Sequence, residues 1–165
     1  MPRSQSRKPS PFDSPALYRA LDARRQFLGL SWNEVSKKLG VAASTLRRTE
    51  RGGPMETDGI LAMVRWVERV PEDFIPGATL APPGGPLGPG RFHCQALFEA
   101  LDAHRRSRGL TWPDLAQEIG NVSVPMLTRL AKGGRIEVNL MAALAGYLGR
   151  PVQSFTRRVD PSVDS

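Results

Sequence analysis

The stretch 31-SWNEVSKKLGVAASTLRRTERGG-53 decides how this chain is read. Ser31 offers a side-chain oxygen to the orphan amides at the start of a helix. Glu34, three residues on, completes a capping-box pattern. Val35 and Leu39, four apart, share one apolar face, and small Ser36 beside them permits close approach by another helix. Gly40 stops the helix where a left-handed backbone costs least. The chain restarts near Ala43, with Leu46 facing inward and Arg47, Arg48 and Arg51 outside. The spacing predicts two short helices joined by a turn of three to four residues.

Such a pair has the form of a helix-turn-helix unit. Before it, Ala16, Leu17, Ala20, Leu21, Phe27 and Leu28 follow helical spacing and predict a helix from Pro15 to Gly29. After it, Thr57 to Arg69 carries an apolar stripe of Ile60, Leu61, Met63, Val64 and Val67, with Trp66 beside it. Pro71 and Phe74 close the unit with a short terminal helix. No strand-like alternation is present, so the fold class is all-α.

The chain has 165 residues and a net charge of +7, spread along its length, which favours an anionic partner. Cys94 is the single cysteine, which excludes an intramolecular disulfide and fits a reducing compartment. The start has charge without an apolar run, unlike a secretory signal. Stretches such as 59–64 and 140–146 fall far below the roughly 18 apolar residues needed to span a bilayer. A soluble cytoplasmic, nucleoid-associated protein is expected.

Residues 1–14 mix Pro, Ser, Arg and Lys and read as a disordered basic arm. Its Arg3, Arg7 and Lys8 either reach DNA or only solubilise the chain. Residues 76–91, PGATLAPPGGPLGPGR, hold five Pro and five Gly and read as a linker. At about 3.1 Å per residue it could reach on the order of 50 Å. That is enough to set flanking domains one DNA turn, about 34 Å, apart.

Beyond the linker the chain repeats itself. ALYRALDARRQFLGLSW at 16–32 aligns with ALFEALDAHRRSRGLTW at 96–112, an offset of 80. From Val41 the offset is 81, and Leu46, Arg48, Gly52-Gly53, Glu56, Trp66, Arg69 and Phe74 meet Leu127, Arg129, Gly133-Gly134, Glu137, Tyr147, Arg150 and Phe155. The expected organisation is an arm (1–14), domain 1 (15–75), a linker (76–91), domain 2 (92–157) and a tail (158–165).

Each half resembles the Xre/Cro-type, lambda-repressor-like helix-turn-helix family. The resemblance is carried by LDARRQFLGLSWNEVSKKLGVAASTLRRTERGG in the first half. It implies two tandem five-helix domains, each with its third helix in the major groove and its second across the backbone. Carried over by position, Ala43, Ser44, Arg47 and Arg48 would face base edges. Arg48 suits bidentate recognition of guanine, and Ala43 a thymine methyl. Lys37, Lys38 and Arg51 would contact phosphates. Trp32 and Trp112 stand where relatives carry a phosphate-touching Gln, and either donate one hydrogen bond there or pack as aromatics.

In the second half the resemblance implies reading positions at Val124, Pro125, Thr128 and Arg129, with Trp112, Lys132 and Arg135 for phosphates. The turn Gly120–Pro125 carries one residue more, Ser123 is a plausible N-cap, and Leu130 replaces polar Thr49. Domain 2 is either a second DNA-binding head or a contact for a protein partner or self-association.

No catalytic, metal or cofactor constellation stands out. His93, His104 and Cys94 lack ligand spacing, and Asp102–Arg106 reads as a surface helix pair. The expected function is a sequence-specific double-stranded DNA-binding regulator, most simply a repressor, with its two heads as an intramolecular pseudo-dimer. The alternatives are an antitoxin or anti-regulator that binds a protein, or a mobile-element accessory DNA-binding protein.

Overall fold

The computed structural model describes residues 11–77 and 90–157. Among them are eight α-helices and almost no strand, as the all-α reading requires. In order these are α1 (Ser14–Leu28), α2 (Trp32–Leu39), α3 (Ala43–Arg48), α4 (Thr57–Trp66), α5 (Cys94–Ser107), α6 (Trp112–Ile119), α7 (Val124–Thr128) and α8 (Val138–Leu148). Short 3-10 turns follow α3, α4, α7 and α8, at Thr49–Arg51, Pro71–Phe74, Arg129–Lys132 and Val152–Phe155. The series α1–α4 and its closing turn therefore recur as α5–α8 and theirs, in the register of the sequence repeat. The expected fifth helix of each series is a single 3-10 turn.

The apolar stripes do what their spacing predicts. Leu17, Leu21, Val35, Leu46, Ile60, Leu61, Met63 and Val64 are fully buried, as are Leu97, Leu101, Leu115, Leu127, Val138, Met141 and Leu144. Each such side chain contributes about 1.5–3 kcal/mol by leaving water. The corner between α1 and α2 is locked by Arg25. Its Nε and Nη2 donate to Asp22 Oδ1 at 3.1 and 2.7 Å, and its Nη1 donates to the Leu30 carbonyl at 2.9 Å. The guanidinium lies over the Trp32 ring, 4.8 Å from its centroid. Arg105 repeats every contact with Asp102, Leu110 and Trp112.

Several sequence expectations change. Residues 11–14, assigned to the arm, are structural: Phe12 is buried against Phe74, with ring centroids 6.0 Å apart, and the Asp13 side chain caps α1. Phe27 and Leu28, counted with the apolar positions of α1, are exposed, Phe27 to 87%. Ten residues from Leu17, Phe27 points about 80° away from it around the helix, and Leu28 ends the last turn. Helix α4 stops at Trp66 rather than Arg69, where Glu68 adopts φ 58°. Two short strands are also present, β1 (Arg91–Phe92) and β2 (Thr156–Arg157), paired antiparallel. They lie near the two ends of the described second half, and they place Arg91, expected in the linker, in a strand pair. Arg3, Arg7 and Lys8, residues 78–89 of the expected linker and the expected tail 158–165 lie outside the described residues.

The two halves pack directly on each other. Thr57 N donates to the Ile136 carbonyl at 2.9 Å, and Val138 N donates to the Met55 carbonyl at 2.7 Å. Under the offset of 81 these two bonds exchange places, so the contact has pseudo-two-fold symmetry about Glu56 and Glu137, which form an antiparallel bridge. The symmetry extends outward. Phe12 N donates to Asn139 Oδ1 at 3.2 Å, and its counterpart Phe92 N donates to Asp58 Oδ1 at 2.8 Å.

Two outcomes test this architecture. Arg25→Lys loses the planar fork that bonds Asp22 and Leu30 together and should cost about 1.5–3 kcal/mol in urea denaturation. After cleavage at a protease site inserted within 78–89, the two halves should co-elute from gel filtration; separate elution would contradict the interface.

Candidate nucleic-acid interface

Helices α2 and α3 are placed by three local devices. Ser31 Oγ accepts from Glu34 N at 3.1 Å while Glu34 Oε1 accepts from Ser31 N at 2.8 Å, the capping box in full. Gly40 takes the left-handed conformation, φ 69°, and donates to the Ser36 carbonyl. Leu46 then anchors α3 in the core. Thr49, polar in sequence, is buried: its hydroxyl donates to the Thr45 carbonyl at 3.1 Å and meets Met63 Sδ at 3.6 Å.

With Leu46 and Thr49 inward, Ser44, Arg47, Arg48 and Arg51 are exposed at helical spacing, and Ala43 is half-buried beside them. Lys37 and Lys38 are exposed on the last turn of α2. Among the described residues none of these five cations forms an ion pair. Exposed cations left without partners are available to an external anion. Trp32 is half-buried, stacked on Tyr18 at 5.4 Å with Arg25 on it, an aromatic packing position. Trp112 is stacked likewise between Phe98 and Arg105.

The second half presents a different surface. Gly120 has φ 83° and ψ 145°, and the extra residue Asn121 takes the left-handed turn at φ 59°. Ser123 caps α7 by accepting from Met126 N, and Leu130 is buried where Thr49 stands in the first half. Val124 packs against the core, and the Thr128 hydroxyl folds back onto the Val124 carbonyl at 3.1 Å. Pro125, Arg129 and Lys132 remain exposed. Gln117 and Glu118 stand where the first half has Lys37 and Lys38, and Glu118 is held by Arg108 at 2.5 Å and by the Tyr147 hydroxyl. Arg135 pairs with Glu56 at 3.2 Å. It is thereby brought to the first half, where it lines a cavity of about 320 Å³ together with Arg48.

Hydrogen bonds set the electrostatics of these elements. The Ser31 amide and hydroxyl hold the Glu34 carboxyl below its usual range, and Thr111 does the same for Asp114. Arg108 and Tyr147 lower Glu118, whose hydrogen bond in turn raises Arg108. Burial pushes the Cys94 thiol up to about 11, which makes it inert at neutral pH. Among the described residues no cluster of three or more His, Cys, Asp or Glu could hold a metal ion, and no helix is long and apolar enough to cross a membrane.

Comparisons with protein-family models, with curated proteins and with solved structures find no match. Sequence reasoning missed Arg91, Asp58 and Asn139, and the paired Asp58/Asn139 positions in the two repeats were the available signal.

The cap carboxylate carries a pH signature. A lowered value means its stabilisation is present above the ordinary carboxyl range and is lost as pH falls through it. Thermal melts of Glu34→Gln should therefore decline less steeply than wild type below about pH 4.5.

Proposed function

We propose that this chain is a sequence-specific double-stranded DNA-binding transcriptional regulator, most simply a repressor. On this reading it consists of two tandem lambda-repressor-like helix-turn-helix domains, joined by the Pro/Gly-rich segment and acting as one intramolecular pseudo-dimer. The observation that carries the proposal is the face of α2 and α3. Lys37, Lys38, Arg47, Arg48 and Arg51 are exposed and free of ion pairs on a turn-joined helix pair, and that pair recurs across a pseudo-two-fold axis. Paired reading helices related by a two-fold match the symmetry of a duplex with two half-sites.

In the proposed complex Arg48, Arg47 and Ser44 read base edges, while Lys37, Lys38 and Arg51 set the register on phosphates. The second head contributes Arg129 and Lys132 and has fewer cations to spend on the backbone. Its apolar start, Val124-Pro125-Met126, motivates the protein-partner alternative. Val124 packs inward and Met126 Sδ accepts from Ser123 N at 3.4 Å, which leaves Pro125 as the exposed residue of the three. That weakens the motive for the alternative.

Random-site selection with the whole chain should return a site of two unequal halves at one fixed spacing, bound by one chain; a perfect palindrome bound by two chains would contradict the proposal. Arg48→Ala should cost about 1–3 kcal/mol and relax one base position. Lys37→Ala or Lys38→Ala should weaken all sequences alike and flatten the salt slope by about one unit each.

A further inference from the structure

The interface between the halves is unequal where α4 meets it. Gly59, inside α4, corresponds to Leu140 in α8, and no atom lies within 4 Å of where a Cβ on Gly59 would stand. Gly59 stands in the first turn of α4, where a residue without a side chain leaves the adjoining space open. The space beside it is a cavity of about 580 Å³, within the range of small-molecule sites. Leu39, Val41, Ile60 and Met63 give it apolar lining. Three guanidinium-bearing residues line it from three elements: Arg48 on α3, Arg91 on β1, and Arg135 on the loop before α8.

The charges are incompletely matched. Arg135 has Glu56 at 3.2 Å, and Asp58 Oδ1 accepts from Phe92 N. Arg48 and Arg91 have no ion pair among the described residues. The repeat supplies an internal control. At the matching positions across the pseudo-two-fold, Pro11 replaces Arg91, Pro54 replaces Arg135, Asn139 replaces Asp58 and Leu140 replaces Gly59. At these four positions one difference opens space beside the cavity, two add positive charge and Asp58 adds a negative charge.

We propose that this cavity is a binding site for a phosphorylated small molecule of nucleotide size. Guanidinium groups bind phosphate oxygens through paired, charge-assisted hydrogen bonds. The carboxylates of Glu56 and Asp58 accept from ring or sugar donors, and the apolar lining takes a planar body. Arg48 is also the group that the proposed function assigns to a base edge. Ligand and DNA then compete for it, and each weakens the other by the same factor. That competition rests on the DNA-binding reading; the ligand site itself does not.

The test is fluorescence titration of the full chain with N-methylanthraniloyl-ADP in the absence of magnesium. Wild type should bind it saturably, one per chain, and the matching labelled adenosine about tenfold or more weakly, for want of phosphate. Gly59→Leu fills the space as Leu140 does and should weaken labelled ADP about tenfold or more while keeping or raising the melting temperature. Arg91→Ala, at an exposed position, should weaken it comparably. Absence of saturable binding, or unchanged binding in both variants, overturns the site. A selected DNA fragment should displace the labelled ADP from wild type. Saturable binding without displacement overturns the competition for Arg48 and leaves the site standing, so the two readings fail separately.

Discussion

The first amide of an α-helix has no acceptor within its own helix, and in this protein each half supplies that acceptor to the other. Thr57 opens α4 and donates to Ile136; Val138 opens α8 and donates to Met55. Around this exchange the Phe12 and Phe92 amides, which precede α1 and α5, reach side chains at the starts of α8 and α4. Each of these bonds is worth only about 1 kcal/mol net. Their effect is geometric: they fix where α4 and α8 begin relative to each other, and so where α3 and α7 stand.

The duplication has kept this frame and altered what hangs on it. Arg25 and Arg105 make the same bonds to Asp, backbone carbonyl and Trp, because loss of either would free a helix corner. Away from the corner the copies diverge. Glu72 Oε2 accepts from Val152 N at 2.7 Å, but the corresponding amide for Gln153 belongs to Pro71, which has none. Gln153 Oε1 is accordingly buried without a partner among the described residues. Gln117 and Glu118 stand where the first half has Lys37 and Lys38, and Leu140 where it has Gly59. The copies also differ within the core, where Ala142 and Ala145 stand for Leu61 and Val64.

Local chemistry was legible in the sequence, and long-range chemistry was not. The Ser31–Glu34 capping box, the left-handed Gly40, the Ser123 cap and the inward Leu46 follow from residues within four positions of each other. The core stripes of α1 and α4 follow from helical period, which also brought in Phe27, since spacing alone does not say where a helix outruns its neighbours. Phe12 was hidden in a Pro/Ser/Arg-rich context, although its burial needs only one ring to meet Phe74. The roles of Trp32 and Trp112 depended on Arg25 and Arg105, seven residues before them and across a corner. Contacts between the halves join residues distant in the chain, by 34 positions for Asp58–Phe92 and 127 for Phe12–Asn139, and no composition or period encodes them.

Direct packing also changes the physical account of how two heads act together. Heads on a loose tether gain an effective concentration, often in the mM range, but each must still be oriented on binding. Heads already packed on each other have lost that freedom in folding, so less ordering opposes association. The same packing removes the ability to adjust spacing. On the proposed function, a fixed spacing with unlike faces confers direction. A homodimer sees a palindrome identically from either side, whereas a reader with Arg47 and Arg48 on one head and Thr128 and Arg129 on the other would seat in only one orientation.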